Sequence, residues 1–183
     1  MTGASRAVTG MPKVVAAGTS LWLEPEGPSR ARFAALIRRL ARELGTTPFE
    51  PHVTLLGGLM LPEAKVVEEA GRLAARLAPI EVRLTRAGVG SDFFHRLYFE
   101  VAASRELLDA HAAARRPFDV AESAYQPHLS LAYAAPAEHR PEDLLQRVPE
   151  RPWGRFRAES LTVVRTAGLP AEWKVLARLP LAG

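Results

Sequence analysis

The chain has 183 residues and a formal net charge of +4, with 48% hydrophobic and 24% charged residues, a profile typical of soluble globular proteins. It contains no cysteine, which excludes disulfide scaffolds, thiol catalysis and cysteine zinc sites. No apolar run approaches the roughly 20 residues that cross a bilayer, and the opening residues lack the apolar core of a secretory signal. We therefore expect a cytoplasmic protein without membrane association.

The positive charge comes almost entirely from arginine, because lysine occurs only at Lys13, Lys65 and Lys174. A pI near 9.9 suits an anionic ligand, but a coding bias toward arginine explains it equally well. The basic residues are scattered, and Arg38-Arg39 and Arg115-Arg116 are the only adjacent pairs. No dedicated nucleic-acid-binding stripe is visible.

The first half of the chain alternates between strand and helix patterns. Residues 1–18 are rich in small residues and are predicted to form a flexible tail, which leaves 19–183 as a single bilobal domain. "SLWLEPE" predicts a strand, and Ser29 is predicted to cap the following helix, which Gly45 ends. "HVTLL" is the second strand, and Pro62 opens the second helix. The apolar face of the first helix comprises Phe33, Leu36, Ile37, Leu40 and Leu44, and that of the second Val66, Ala70, Leu73 and Leu77.

The second half repeats this order. "IEVRLTRAGVG" and "RLYFEVA" predict two strands around a glycine-containing turn, and Ser104 is predicted to cap the third helix. "HLSLAYA" is the next strand, and "PEDLLQRV" is a short helix. "RFRAESLTVVRTA" and "WKVLARLPL" are predicted as the two closing strands. The order is β-α-β-α-β twice with a final strand added, which indicates two related lobes packed as one domain.

Two stretches at matching places in these halves share one pattern. "FEPHVTLLG" and "YQPHLSLAY" each read aromatic, polar, Pro, His, aliphatic, hydroxyl, Leu, and each lies on the second strand of its half. Side chains at i and i+2 of a strand share a face, so His52 projects with Thr54 and His128 with Ser130. A duplication that sets equivalent strands side by side would bring both histidines into one central groove.

Two imidazoles and two hydroxyls suit displacement at a phosphodiester. With a pKa near 6.5, one imidazole takes a proton from water while a protonated partner gives one to the leaving group. Hydroxyls hold the non-bridging oxygens of the phosphate as its charge redistributes. This chemistry requires no metal or other cofactor, and the residues do not decide which histidine is the acid and which the base.

This interpretation depends on the occurrence of the motif twice in one chain. A single His-x-Thr on a strand is ordinarily a packed or surface histidine. Of the five histidines, only His52 and His128 follow a proline, and the same two have a hydroxyl residue at +2 and Leu at +3. His95, His111 and His139 lack this context. We predict that His95 is non-catalytic and that the other two lie on the solvent side.

The chain resembles the two-histidine (2H) phosphoesterases in its paired motifs and in the stretches "SLWLEP", "GTTPFEPHVTLLGGL" and "AEWKVLARLPL". Within that family it is most similar to the cyclic phosphodiesterases that act on 2′,3′-cyclic nucleotides and ADP-ribose 1″,2″-cyclic phosphate. The resemblance implies an α+β fold in which two antiparallel sheets form a central groove flanked by helices. It implies that His52 and His128 are the acid and base, that Thr54 and Ser130 bind phosphate, and that a 2′,3′-cyclic nucleotide opens to the 2′-phosphate.

Three further positions are candidate ligand contacts. Tyr133 matches a tyrosine of the family pattern, but five residues after His128 it would face away on an unbroken strand, so a bulge or the strand end must turn it inward. Trp22 either stacks on a base or ribose or packs as a core residue. Phe93 and Phe94, in the turn-like "SDFFHR", either wall the base or anchor the loop.

The expected partner is a nucleotide cyclic phosphate, bound by a monomer. Neither a metal motif nor a phosphate loop is present. Two alternatives remain open. The first is the same chemistry on RNA 3′ ends, which an arginine-lined path leading from the histidines would favour. The second is a nucleotide- or RNA-binding module without turnover.

Overall fold

The computed structural model describes residues 15–122, 124–149 and 154–182. Most of the predicted tail lies outside the described residues, but its last residues are packed: Ala16 forms an antiparallel bridge with Gly168. The order of elements is the predicted one except that the first of the two closing strands is divided in two, which gives four helices and eight strands among the described residues. They are β1 (Thr19–Leu23), α1 (Gly27–Leu44), β2 (Val53–Leu59), α2 (Glu63–Ala74), β3 (Ile80–Val89), β4 (Leu97–Val101), α3 (Arg105–Arg115), β5 (His128–Ala132), α4 (Pro141–Leu145), β6 (Arg155–Ala158), β7 (Ser160–Arg165) and β8 (Lys174–Pro180).

The eight strands form one antiparallel sheet in the order β6-β3-β4-β5-β2-β1-β7-β8. It consists of two four-stranded halves, β6-β3-β4-β5 and β2-β1-β7-β8, and their central strands β2 and β5 pair only at Val53 and Leu129. The predicted α+β class with two related halves is confirmed, and the two predicted sheets meet at this one pair. The histidine motifs therefore lie at the junction.

The halves exchange strands. β3 follows the N-terminal elements but pairs with β4 and β6, while β7 comes late in the chain and pairs with β1. One sequence prediction is wrong for this reason. "RFRAESLTVVRTA" is not one strand. β6 ends before Glu159 and β7 begins after it, because the chain passes there from the edge of one half to the interior of the other. Its burial also changes there, from alternating in β6 to nearly continuous in β7.

Helices cover one face of the sheet and build the core. α1 packs on β5, α3 on β2, and α2 on β7 and β8. The predicted apolar faces of α1 and α2 are buried, except that Leu77 lies beyond the end of α2 and is half-buried. Full burial of a leucine such as Leu40 contributes about 2 kcal/mol. The opposite face of the sheet is thus left for the groove.

Three of the four predicted helix ends agree with the structure, and one of them is Pro62, the N-cap residue of α2. Gly45 ends α1 in the left-handed conformation, with φ of 67°, and the Ser104 side chain accepts a hydrogen bond from the Leu107 amide at the start of α3. Ser29 is not a cap. α1 begins two residues earlier because Pro28, in the first turn, already has the backbone φ that a helix needs. Among the described helices, none has both the length and the apolar character needed to cross a bilayer.

Candidate active site

The two histidine motifs meet where β2 and β5 touch. Val53 and Leu129 are paired across the strands, and both side chains are fully buried toward the helices. Because side chains alternate along a strand, the residues on either side of this pair face the groove. His52 and Thr54 from β2 and His128 and Ser130 from β5 therefore share one surface.

Both histidines are oriented in the same way. The Nδ1 of His52 lies 2.7 Å from the carbonyl oxygen of Glu50, and the Nδ1 of His128 lies 2.9 Å from that of Gln126. A carbonyl only accepts, so Nδ1 carries the hydrogen and donates it. In each neutral ring the free lone pair is then on Nε2. The carbonyl two positions before each histidine thus fixes the tautomer of the neutral ring.

A cavity of about 380 Å³ opens over these groups. All seven predicted site residues line it, whereas Phe93 does not and packs instead against Phe94 and Tyr133. Ser20, His95, Thr166 and Trp173 also line it, as do Ala16 and Ala17 from the end of the predicted tail. The predicted residues are Trp22, His52, Thr54, Phe94, His128, Ser130 and Tyr133.

His52 is enclosed by aromatic rings. Its imidazole stacks on the Trp22 indole, with ring centroids 3.6 Å apart and planes 7° apart, and Trp173 meets both rings edge-on. Only 5% of His52 is exposed. Burial lowers the pKa of His52 to about 4, the Glu50 carbonyl opposes this shift, and positive charge on His128 adds to it. His52 is therefore neutral near pH 7.

His128 has a more open and more polar surrounding. It is half-buried, its ring centroid lies 4.3 Å from that of His95, and Tyr98 meets it edge-on at 5.5 Å. Burial lowers the pKa of His128, and charge on His95 lowers it further. The Gln126 carbonyl and the Asp92 carboxylate favour the protonated form. The two motifs are alike in sequence but differ in what surrounds each imidazole.

Hydroxyl groups surround the histidines. The Ser130 hydroxyl donates a weak hydrogen bond to the Phe94 carbonyl at 3.4 Å, which a phosphate oxygen can replace. Ser20 and Thr166 are hydrogen-bonded to each other at 2.9 Å. Tyr133 follows the last residue of β5 and stacks on Phe49 at 4.0 Å, so the end of the strand turns it into the cavity. Burial raises the pKa of its phenol.

The loop between β3 and β4, which carries Phe94 and His95, is held by a buried arginine. Arg96 is 4% exposed, and its guanidinium donates to the carbonyls of Gly90, Pro136 and His139. The Asp92 carboxylate also accepts from the His95 amide at 2.9 Å. The wall of the cavity on the His128 side is thus fixed to the segment after β5.

Comparison with known proteins agrees with this geometry. The model of the 2′-5′ RNA ligase superfamily matches residues 47–169, a stretch that contains both motifs. The chain belongs to the 2′-5′ RNA ligase superfamily. The resemblance to two-histidine phosphoesterases is thereby confirmed, and so is the prediction of an enzyme, because the curated relatives carry the names of phosphodiesterases.

Two curated relatives and one solved structure illustrate the superfamily. A cyclic phosphodiesterase of Arabidopsis thaliana is 29% identical over 133 residues, which cover 70% of this chain and 71% of the plant protein. A 2′,3′-cyclic-nucleotide 3′-phosphodiesterase of Yarrowia lipolytica is 25% identical over 210 residues, 87% and 97% of the two chains. E. coli LigT in complex with 3′-AMP superposes with a TM-score of 0.61 at 15% identity, covering 91% and 98% of the two chains, and shows the shared fold.

Some residues of this superfamily member's cavity were not predicted. His95 was predicted only to be non-catalytic, and it lines the cavity beside His128. His111 was expected on the solvent side but is half-buried: its Nδ1 lies 2.7 Å from the Leu55 carbonyl and its ring stacks on Tyr125. Trp173 lies in "AEWKVLARLPL", one of the stretches that carry the family resemblance, and a tryptophan there could have been considered as a ligand contact. Ser20 and Thr166 carried no local signal.

Proposed function

We propose that this enzyme hydrolyses a cyclic phosphodiester by in-line attack of water, with His52 as the general base and His128 as the general acid. The observation that carries the proposal is the matched pair of Nδ1–carbonyl hydrogen bonds, which leaves both Nε2 atoms for proton transfer. Thr54 and Ser130, on the same face, bind the equatorial oxygens. The substrate class is a 2′,3′-cyclic nucleotide or ADP-ribose 1″,2″-cyclic phosphate.

The difference between the two environments supports the assignment of base and acid. Burial keeps His52 neutral, which a base must be before reaction. Burial lowers the pKa of His128 as well, but His128 is more exposed than His52, and the Gln126 carbonyl and Asp92 oppose this shift by favouring the protonated form, which an acid must have. A bound phosphate anion stabilises that proton further.

The reaction balances within these groups. Water forms a bond to phosphorus and gives its proton to Nε2 of His52. The bond from phosphorus to one ribose oxygen breaks, and that oxygen takes the proton from Nε2 of His128. The product is a phosphomonoester. In a 2′,3′-cyclic nucleotide, departure of the 3′ oxygen leaves a 2′-phosphate. The name of the Yarrowia relative, a 3′-phosphodiesterase, refers to cleavage of this 3′ bond.

The decisive experiment is hydrolysis of a 2′,3′-cyclic nucleotide in EDTA, followed by phosphorus NMR. We expect turnover without added metal, a bell-shaped pH profile and a 2′-phosphate. His52→Ala and His128→Ala should each lose about 10²–10⁴-fold in kcat while remaining folded, and His139→Ala should match the wild type. Wild-type rates in both site variants would refute the mechanism, and tight binding of the cyclic nucleotide without turnover would identify a binding module.

A further inference from the structure

A second cavity of about 270 Å³ adjoins the catalytic cavity, and Trp22 and Trp173 line both. We call it the side cleft. Phe49 and Val164 also line it. Val164 of β7 is the ladder partner of Ser20, which lines the catalytic cavity, and paired residues project from the same face of a sheet. The groove therefore continues from the histidines over the β1-β7-β8 part of the sheet.

The side cleft combines apolar walls with one available cation. Phe49 and Trp173 supply aromatic rings of the kind on which nucleobases stack, and Pro48 and Pro170 add apolar surface. Arg38 of α1 lines the cleft and forms no hydrogen bond or ion pair with any described residue. The carboxylate that also lines the cleft, Glu50, is already paired with Arg30 at 2.8 Å. An unpaired guanidinium beside apolar rings suits a phosphate joined to a base.

We propose that the side cleft binds a second nucleotide unit, linked through phosphate to the unit that carries the cyclic phosphate, with Arg38 contacting the linking phosphate. This inference rests on the proposed function and narrows its substrate class. Two sources supply such a unit: the penultimate nucleotide of an RNA 3′ end, and the adenosine diphosphate part of ADP-ribose 1″,2″-cyclic phosphate. Because Arg38 is the one basic residue among the described residues that line the side cleft, the cleft has room for contact with one linking phosphate and therefore for one additional nucleotide unit.

The test compares kcat/KM for a 2′,3′-cyclic mononucleotide, a dinucleotide ending in a 2′,3′-cyclic phosphate, and ADP-ribose 1″,2″-cyclic phosphate. The wild type should prefer at least one two-unit substrate, and the preferred one identifies the source. Arg38→Gln should lower kcat/KM for that substrate about tenfold or more and leave the mononucleotide unchanged. Arg42→Gln, one turn further along α1 and outside the cleft, is the matched control.

Two results would overturn the side-cleft proposal: no preference of the wild type for either two-unit substrate, or equal losses on the mononucleotide and the two-unit substrate in Arg38→Gln. Failure of the proposed function itself looks different, because then no substrate is hydrolysed. Binding of a 3′-phosphorylated dinucleotide, followed by tryptophan fluorescence, still tests the cleft in that case. It should weaken in Arg38→Gln and not in Arg42→Gln.

A separate observation concerns a third imidazole beside the catalytic pair. His95 stacks on Tyr98 at 3.9 Å and lies 4.3 Å from His128, measured between ring centroids. Tyr98 is the ladder partner of Ser130, just as Trp22 is the ladder partner of Thr54. In one half the aromatic residue of the neighbouring strand stacks directly on the motif histidine, and in the other it stacks on His95 instead.

We propose that His95 is a positioning residue for the protonation state of His128: its imidazole, 4.3 Å away, weakens the hold of His128 on a proton in the free enzyme. Two imidazolium rings at this separation would repel each other in a partly buried site. An anion bound at the histidines offsets this repulsion and favours the protonated form of His128. Other charged and titratable groups also face the pair, and Glu100 among them is paired with Arg86. They are Asp92 on the same loop, Tyr98 and Glu100 on β4, His52 beside β2 and Tyr125 before β5.

His95→Phe tests this pair because it keeps a flat ring on Tyr98 and removes the imidazole beside His128. In histidine side-chain NMR of the ligand-free protein, we expect His128 to titrate at higher pH than in the wild type by about half a pH unit or more. In kinetics, the alkaline limb of the bell-shaped profile should move upward and the acidic limb should stay. His139→Phe is the matched control. An unchanged His128 titration in His95→Phe would overturn the inference, whatever happens to activity.

Discussion

The indole of Trp22 lies flat against the imidazole of His52, with ring centroids 3.6 Å apart, at the floor of the catalytic cavity. Trp22 is only 3% exposed, so this face is not open to a ligand. Its contact instead removes water from one side of the imidazole and so contributes to the burial that lowers the pKa of His52. The tryptophan thus supports the proposed base.

Trp22→Leu should raise the pKa of His52 toward its ordinary value, because water reaches the face that the indole covers. A base with a higher pKa loses its free lone pair earlier on acidification, so the acidic limb of kcat/KM should move to higher pH. Trp22→Phe keeps a flat ring and should move this limb less. The pH dependence of kcat/KM for the three proteins measures the effect, and an unmoved limb in Trp22→Leu would contradict it.

Acidification should destabilise the protein through His52. Its pKa is about 4 when folded and near 6.5 when unfolded, so between these values the unfolded chain binds more protons and stability rises with pH. On going from pH 7.5 to 5.0, this one group should remove about 2 kcal/mol of unfolding free energy. Urea unfolding at both pH values measures it. On the same acidification, His52→Gln should lose about 2 kcal/mol less unfolding free energy than the wild type. Equal losses in the two proteins would show that His52 is not the cause.

The hydroxyls of Thr54 and Ser130 should act on the reaction more than on folding. Thr54→Val and Ser130→Ala each remove a proposed phosphate ligand while keeping the size of the side chain nearly unchanged. We expect kcat to fall about 10–100-fold in each variant, and inhibition by inorganic phosphate to weaken. Thr85→Val, on the exposed surface of β3, should do neither. Equal thermal unfolding temperatures would separate this effect from a loss of structure.

The loop that carries Phe94 and His95 should tolerate no side chain at its first residue. A Cβ added to Gly90 would overlap the carbonyl oxygen of His95, a backbone atom that cannot move aside cheaply. Gly90→Ala should therefore raise KM and lower the unfolding temperature. Gly71→Ala, in α2 with open space around the new methyl group, should instead stabilise the protein by up to about 1 kcal/mol. A Gly90→Ala protein with wild-type KM would contradict the assigned role of the loop.

The parts of the site that could be predicted depend on local geometry. The parity of a strand alone places His52 with Thr54 and His128 with Ser130, and the end of β5 turns Tyr133 inward as that parity requires. The fold class followed from the order of helical and strand patterns. These features need no knowledge of which strands are neighbours.

What could not be predicted depends on contacts between distant residues. The stack of Trp22 on His52 requires the register of β1 against β2, and the break at Glu159 requires the exchange of strands between the halves. His95 reaches the cavity because Arg96 ties its loop to carbonyls about 40 residues later. Short sequence windows contain no information on such contacts.

The exchange of strands also sets the order in which the two halves of the site can be completed during synthesis. All four strands of the half that holds His128 have left the ribosome once Ala158 has, whereas β1 receives its second neighbour only when β7 follows and the edge strand β8 comes last. Domains generally fold as units once their chain is available. The half that contributes His52 begins first along the chain, yet it cannot close until β8 has been synthesised.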